Sequence, residues 1–324
     1  MKSVGINGFG RFGLHLLKYW IERFYNSGFI IKYINDENLN IVRIFEILNS
    51  DQYCKINQVK LFIEKKGVLL KFPDGLDHLI EITNQKSNKI SWIGKVDIFL
   101  ECSGKNTKRT SCKKFLIGKT KKVLISATSW DCDKTVVYGF NEKKILTQDK
   151  IISYGSCTVN AYVPLANFIN NKYNIYMSDV NVVHNIQHYK LKNFNTLVRK
   201  FCTLEKSGPN LLKFLNKDNF NVNYTVIPYD GVSIIDFKFL LKKKTNLPKI
   251  IKSLKNEIKN GSLKNLYSIQ KNDLGPEVHK FSTSSAVIIE ELIKLRGNFL
   301  YLTCYFDNEN SVNRYYDTLN YICN

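Results

Sequence analysis

The segment SCTVN at 156–160 sets a single thiol, Cys157, between two small hydroxyl residues, Ser156 and Thr158, directly before an apolar stretch with helical spacing. A buried cysteine is ordinarily an inert small hydrophobe. At a helix N-terminus the unpaired N–H groups and the dipole favour thiolate over thiol, and the same residue becomes a nucleophile. A second pattern with chemical content opens the chain. In SVGINGFGRFGLHLL, Gly8, Gly10 and Gly13 form G-x-G-x-x-G between a short apolar strand and an amphipathic helix. The first glycine allows the tight turn, the second lets the backbone approach a pyrophosphate, and the third permits close helix–strand packing. The next apolar strand, FIIKYIND, ends in Asp36, somewhat beyond the usual spacing of about 20 residues from the glycines. A carboxylate there can accept from an adenosine ribose diol and repel a 2′-phosphate, which favours NAD over NADP. The competing reading is that Asp36 only caps a turn.

The elements that must position these residues follow from the hydrophobic pattern. VDIFLECSG (96–104) and KKVLISATS (121–129) are continuously apolar and end in small residues, as expected of buried parallel strands whose carboxyl ends line a cofactor crevice. The expectation up to residue 153 is therefore a doubly wound α/β sheet. After Cys157, longer strand-like runs (DVNVVHNIQ, NYTVIPYDGVSIIDFKFLLK and NFLYLTCYFDNE) alternate with helices. They predict a second, α+β domain on a largely antiparallel sheet.

Composition bounds the rest. A chain of 324 residues, 44% hydrophobic, can bury a large core and is expected to form two domains. Its eight cysteines are scattered without CxxC or zinc-ligand spacing, so neither a metal site nor a disulfide framework is expected. No segment reads as a membrane span or a signal peptide, and the expectation is a soluble cytoplasmic protein. The net charge of +20 is spread over dispersed lysines. Without interleaved aromatics or a recognised motif it argues against specific nucleic-acid binding, whereas its field attracts small anions such as sugar phosphates and dinucleotides.

Taken in order, VGINGFGRFG, YIND, ECSG, ISATS, GFN, SCTVN, VVH and YFDNENSVNR resemble phosphorylating glyceraldehyde-3-phosphate dehydrogenase and its relative erythrose-4-phosphate dehydrogenase, over essentially the whole chain. The resemblance implies an NAD-binding domain at 1–156 with 305–324 and a catalytic domain at 157–304, assembled as a homotetramer. It implies Cys157 as nucleophile and His184 as the base and acid beside it. The expected reaction passes through a thiohemiacetal and a thioester, which inorganic phosphate opens to an acyl phosphate. It places Arg11 and Phe12 against the pyrophosphate, Ser126 near the nicotinamide, and Asn308 on its carboxamide. Ser156, Thr158, Ser207 and Gly208 match the pocket for the attacking phosphate.

Two departures concern the substrate. Where the family binds the substrate's own phosphate with a threonine and an arginine, this chain has Gln187 and Val226. Between His184 and Ser207 it is also about nine residues shorter than the family's usual stretch, counted by aligning the motifs. His188, Lys190 and Lys192 could supply replacement cations, or be solvated loop charges. A non-catalytic NAD-binding descendant, or a dehydrogenase for a different aldehyde, stays open as an alternative.

Overall fold

The first strand, β1 (Lys2–Asn7), buries every residue after Lys2, the pattern of a strand covered on both faces. The computed structural model describes residues 1–186, 196–229 and 231–324. It is an α/β protein whose chain divides into two units, Met1–Gly155 with Tyr315–Asn324, and Ser156–Arg314. No helix among the described residues is long and apolar enough to cross a membrane.

In the first unit, β1 is followed by α1 (Arg11–Glu22), β2 (Phe29–Asn35), α2 (Ile41–Ser50), β3 (Lys60–Glu64), β4 (Gly67–Lys71), β5 (Asp77–Thr83), β6 (Ile98–Glu101), α3 (Arg109–Lys113), β7 (Lys122–Ile125), β8 (Lys134–Thr135) and β9 (Ile151–Ser153). The sheet order is β3-β4-β5-β2-β1-β6-β7-β9-β8. Strands β5, β2, β1, β6, β7, β9 and β8 run parallel, and β3 and β4 extend one edge as an antiparallel ribbon. Because β1 is flanked by β2 on one side and β6 on the other, the switch point of the sheet lies at its carboxyl end, where Gly8 follows.

Side chains tie these carboxyl ends together. Thr83 donates to Asn35 Oδ1 (2.8 Å), Asn35 to Asn7 Oδ1 (2.9 Å), and Asn7 to Glu101 Oε2 (2.8 Å). Asn106 adds a donor to the same oxygen at 3.0 Å, and the Ser103 backbone N–H one to Oε1 at 3.0 Å. Burial pushes the Glu101 carboxyl up, against the pull of these donors. Glu101→Ala would strand several buried donors and should lower unfolding free energy by about 3 kcal/mol. Denaturant melts that superimpose on the unmodified protein would show that the relay bears no stability.

The chain returns to this unit in the second half of α7 (Asn308–Cys323), where Tyr315 donates to Leu124 O (2.8 Å) and meets the Phe12 ring edge-on at 5.1 Å.

The second unit comprises α4 (Cys157–Tyr173), β10 (Ile175–Ile186), β11 (Val198–Arg199), α5 (Thr203–Leu211), β12 (Phe220–Pro228), β13 (Ser233–Leu241), α6 (Leu247–Asn260), β14 (Tyr267–Gln270), β15 (Ala286–Ile289), β16 (Lys294–Arg296), β17 (Phe299–Phe306) and the start of α7 (Asn308–Cys323). Its sheet runs β11-β12-β10-β13-β17-β15-β14, with β16 on β17. Most pairings are antiparallel, but β10–β12 and β14–β15 are parallel. The β10–β12 pair matters for the site, because its in-register residues sit side by side on one face.

Candidate active site

Helix α4 begins at Cys157, with Ser156 as an extended N-cap whose hydroxyl accepts from the Val159 N–H. Pro164 interrupts the helix about two turns later. A proline has no N–H to give the carbonyl four residues back, and the buried Tyr267 hydroxyl takes that place, donating to the Asn160 (3.2 Å) and Ala161 (2.8 Å) carbonyls. The helix start is thereby held although its ladder is broken.

His184 on β10 faces this start. Its Nε2 lies 3.4 Å from Cys157 Sγ, and its Nδ1 lies 2.6 Å from the Asn185 carbonyl oxygen. A carbonyl only accepts, so Nδ1 carries the proton and the Nε2 lone pair is presented to the thiol. Asn185 is itself fixed: its side chain donates to Gly231 O (2.6 Å) and accepts from Ser233 Oγ (2.7 Å). The structure therefore brings Cys157 and His184, the pair that the resemblance names, together with the unprotonated imidazole nitrogen turned to the sulfur.

The electrostatics differ from the sequence expectation of a resting thiolate. Both groups are buried, and burial pushes the Cys157 thiol up and the His184 imidazole down. Both directions favour thiol and neutral imidazole. A proton on sulfur would therefore face the unprotonated Nε2 of His184 across the 3.4 Å gap.

Beside the thiol lies a cluster of hydroxyls. Ser156 Oγ meets Thr158 Oγ1 at 3.0 Å and Thr203 Oγ1 at 2.9 Å. Thr203 is the first residue of α5, so two helix N-termini meet at one spot, an arrangement suited to an anion. Thr203 was missed in the sequence, where Ser207 and Gly208 stood for this part of the pocket. Those two lie further along α5: Ser207 is buried, and a Cβ on Gly208 would come within 2.7 Å of the Phe220 ring. The overlooked signal is a helix start, a threonine followed by Glu205 in the first turn.

Val226 is in register with His184 and is buried. Its neighbour across β11 is Val198. Arg199 lies opposite Thr225 and donates to Asn223 Oδ1 at 2.8 Å, on the other face of the sheet. Gln187, His188, Lys190 and Lys192 lie outside the described residues.

In the first unit the glycine loop fits a dinucleotide. Gly8 has φ +97°, and a Cβ there would strike the Ser103 backbone at 2.4 Å. A Cβ on Gly13 would meet Gly8 O at 2.4 Å, whereas Gly10 faces open space at the uncapped start of α1. Asp36 accepts from the Phe9 N–H (2.8 Å) and the Asn38 N–H (2.9 Å), so it both braces the loop and caps a turn. The Arg11 guanidinium is paired with Asp51 and lies 2.8 Å from the buried His15, whose imidazole burial and Arg11 push down to about 3. What α1 offers a pyrophosphate is therefore its backbone N–H groups. Ser126, half-buried, follows β7, and the exposed Asn308 opens α7.

No family model matches the chain. It is 25% identical to glyceraldehyde-3-phosphate dehydrogenase of Priestia megaterium, over 99% of this chain and 98% of the other. It is 28% identical to cytosolic glyceraldehyde-3-phosphate dehydrogenase 3 of Zea mays, over 95% and 94%. With glyceraldehyde-3-phosphate dehydrogenase 4 of Caenorhabditis elegans it shares 27% identity over 99% and 98%. The chain is thus similar, over nearly its full length, to proteins that carry the name glyceraldehyde-3-phosphate dehydrogenase.

Proposed function

We propose that this chain is an NAD-dependent dehydrogenase that oxidises a small aldehyde on Cys157 and releases it as an acyl phosphate. The observation that carries the reading is Cys157 Sγ at a helix N-terminus, 3.4 Å from the unprotonated nitrogen of His184. His184 Nε2 takes the thiol proton as sulfur bonds to the carbonyl carbon. The Cys157 backbone N–H and the imidazolium N–H then hold the oxyanion. NAD, when bound, supplies the two-electron acceptor that turns the thiohemiacetal into a thioester. Inorganic phosphate seated on Ser156, Thr158 and Thr203 attacks the thioester carbon, the C–S bond breaks, and Cys157 leaves to recover its proton from His184. For the cofactor, the first unit offers the Gly8–Gly13 loop to the pyrophosphate and Asp36 to the ribose diol.

The test is NADH formation from glyceraldehyde 3-phosphate, erythrose 4-phosphate and unphosphorylated aldehydes with inorganic phosphate present, with the acyl phosphate trapped by hydroxylamine. No NADH from any of them would overturn the reading.

The Asp36 assignment has its own expected outcome. Asp36→Ala should weaken NAD binding and narrow the preference over NADP, because the same change removes the ribose acceptor and the charge that repels a 2′-phosphate. Equal or tighter NADP binding by the unmodified protein would remove Asp36 from the site.

A further inference from the structure

Tyr224 stands on β12 in register with Val182, two residues before His184, so its ring shares the face of His184 and Val226. The Tyr224 and His184 rings are 5.6 Å apart at 45°. Tyr224 is half-buried, and its hydroxyl has no hydrogen-bond partner among the described residues. Its backbone is bonded to the segment that leads into the hydroxyl cluster. The Lys200 N–H donates to the Tyr224 carbonyl (3.1 Å), and two residues on, Cys202 Sγ lies 3.7 Å from Thr158 Oγ1. Thr203, the next residue, meets Ser156. Burial, together with the proximity of Cys157 and Cys202, raises the phenol's pKa, so it is a donor and not a base at neutral pH.

We infer that Tyr224 completes the seat of the attacking inorganic phosphate, its hydroxyl donating to a phosphate oxygen alongside Ser156, Thr158 and Thr203. This rests on the proposed function. It assigns Tyr224 to the second half of the reaction, since the aldehyde carbon bonds to sulfur before phosphate is needed. A tyrosine suits the task because a neutral donor holds the anion without the desolvation cost of a buried cation. Within the described residues, no lysine or arginine hydrogen-bonds to these hydroxyls.

The test is Tyr224→Phe, which keeps the ring and removes only the donor. Two readouts are needed. In the unmodified protein, phosphate bound beside Cys157 should slow its alkylation by iodoacetamide, and in Tyr224→Phe the half-protecting phosphate concentration should rise about tenfold. In turnover, the KM for inorganic phosphate should rise by the same factor, while the NADH burst from aldehyde without phosphate keeps its rate. Protection at the same phosphate concentration in both proteins would overturn the proposal, even with dehydrogenase activity intact. So would a slowed burst with unchanged phosphate protection, which would put the phenol on the aldehyde. A shifted protection curve in a protein that makes no NADH would uphold the phosphate seat and sink the dehydrogenase reading.

Discussion

His184→Asn is expected to lower turnover by about 10²–10⁴, the effect of removing a positioned acid–base group, and to leave NAD affinity nearly unchanged. The geometry behind this is specific. Nδ1 is committed to the Asn185 carbonyl, so the thiol has one nitrogen to give its proton to, 3.4 Å away. Asparagine can fill the space but cannot take the proton. Burial holds the imidazole below its ordinary value of 6.5. The base therefore stays neutral, and competent, as pH falls through that value, and the acid limb of kcat/KM should lie below it. Burial raises the thiol in the same site, so alkylation of Cys157 by iodoacetamide should climb as pH rises past neutrality. A variant with full activity would put the base elsewhere. Alkylation already at its plateau near pH 6 would show a resting thiolate–imidazolium pair.

Local patterns carried much of this site. The glycine loop and the helix start at Cys157 are written in contiguous residues, because tight turns and helix caps depend on near neighbours. Asp36 was legible as a strand end, and the structure shows it also bracing Phe9. What escaped depends on distant partners. The β3–β4 edge ribbon is stabilised by pairing onto β5, and the two-residue β11 exists through β12. The Ser207–Gly208 pair matches a short hydroxyl–glycine motif, whereas the hydroxyl that meets Ser156 is Thr203, at the start of α5. The packing of Gly208 on Phe220 shows that its glycine answers to the core. The protonation of Cys157 could not be read from its helix position alone, because the opposing effect is burial, a property of the whole unit.

The second large effect concerns the substrate, and it is expected to be weak use of glyceraldehyde 3-phosphate. The position that the resemblance assigns to a phosphate-binding arginine is Val226, buried and in register with His184. Valine has no donor, and Gln187, outside the described residues, offers only a neutral one. Arg199, on the neighbouring strand β11, is turned to the opposite face, with its guanidinium on Asn223 and Thr225. Losing a charge-assisted contact to a phosphate dianion costs roughly 1.5–3 kcal/mol, or about ten- to a hundredfold in affinity. The comparison that decides is kcat/KM for glyceraldehyde 3-phosphate, erythrose 4-phosphate and unphosphorylated glyceraldehyde at fixed inorganic phosphate. A small or absent advantage for the phosphorylated substrates is the expected result. Val226→Arg should restore part of that advantage if the site seats the guanidinium. Should that variant misfold, the ratio measured on the unmodified protein still stands as the test. Fast, tight use of glyceraldehyde 3-phosphate by the unmodified chain would mean that cations other than the missing arginine hold its phosphate, and the expectation would be wrong.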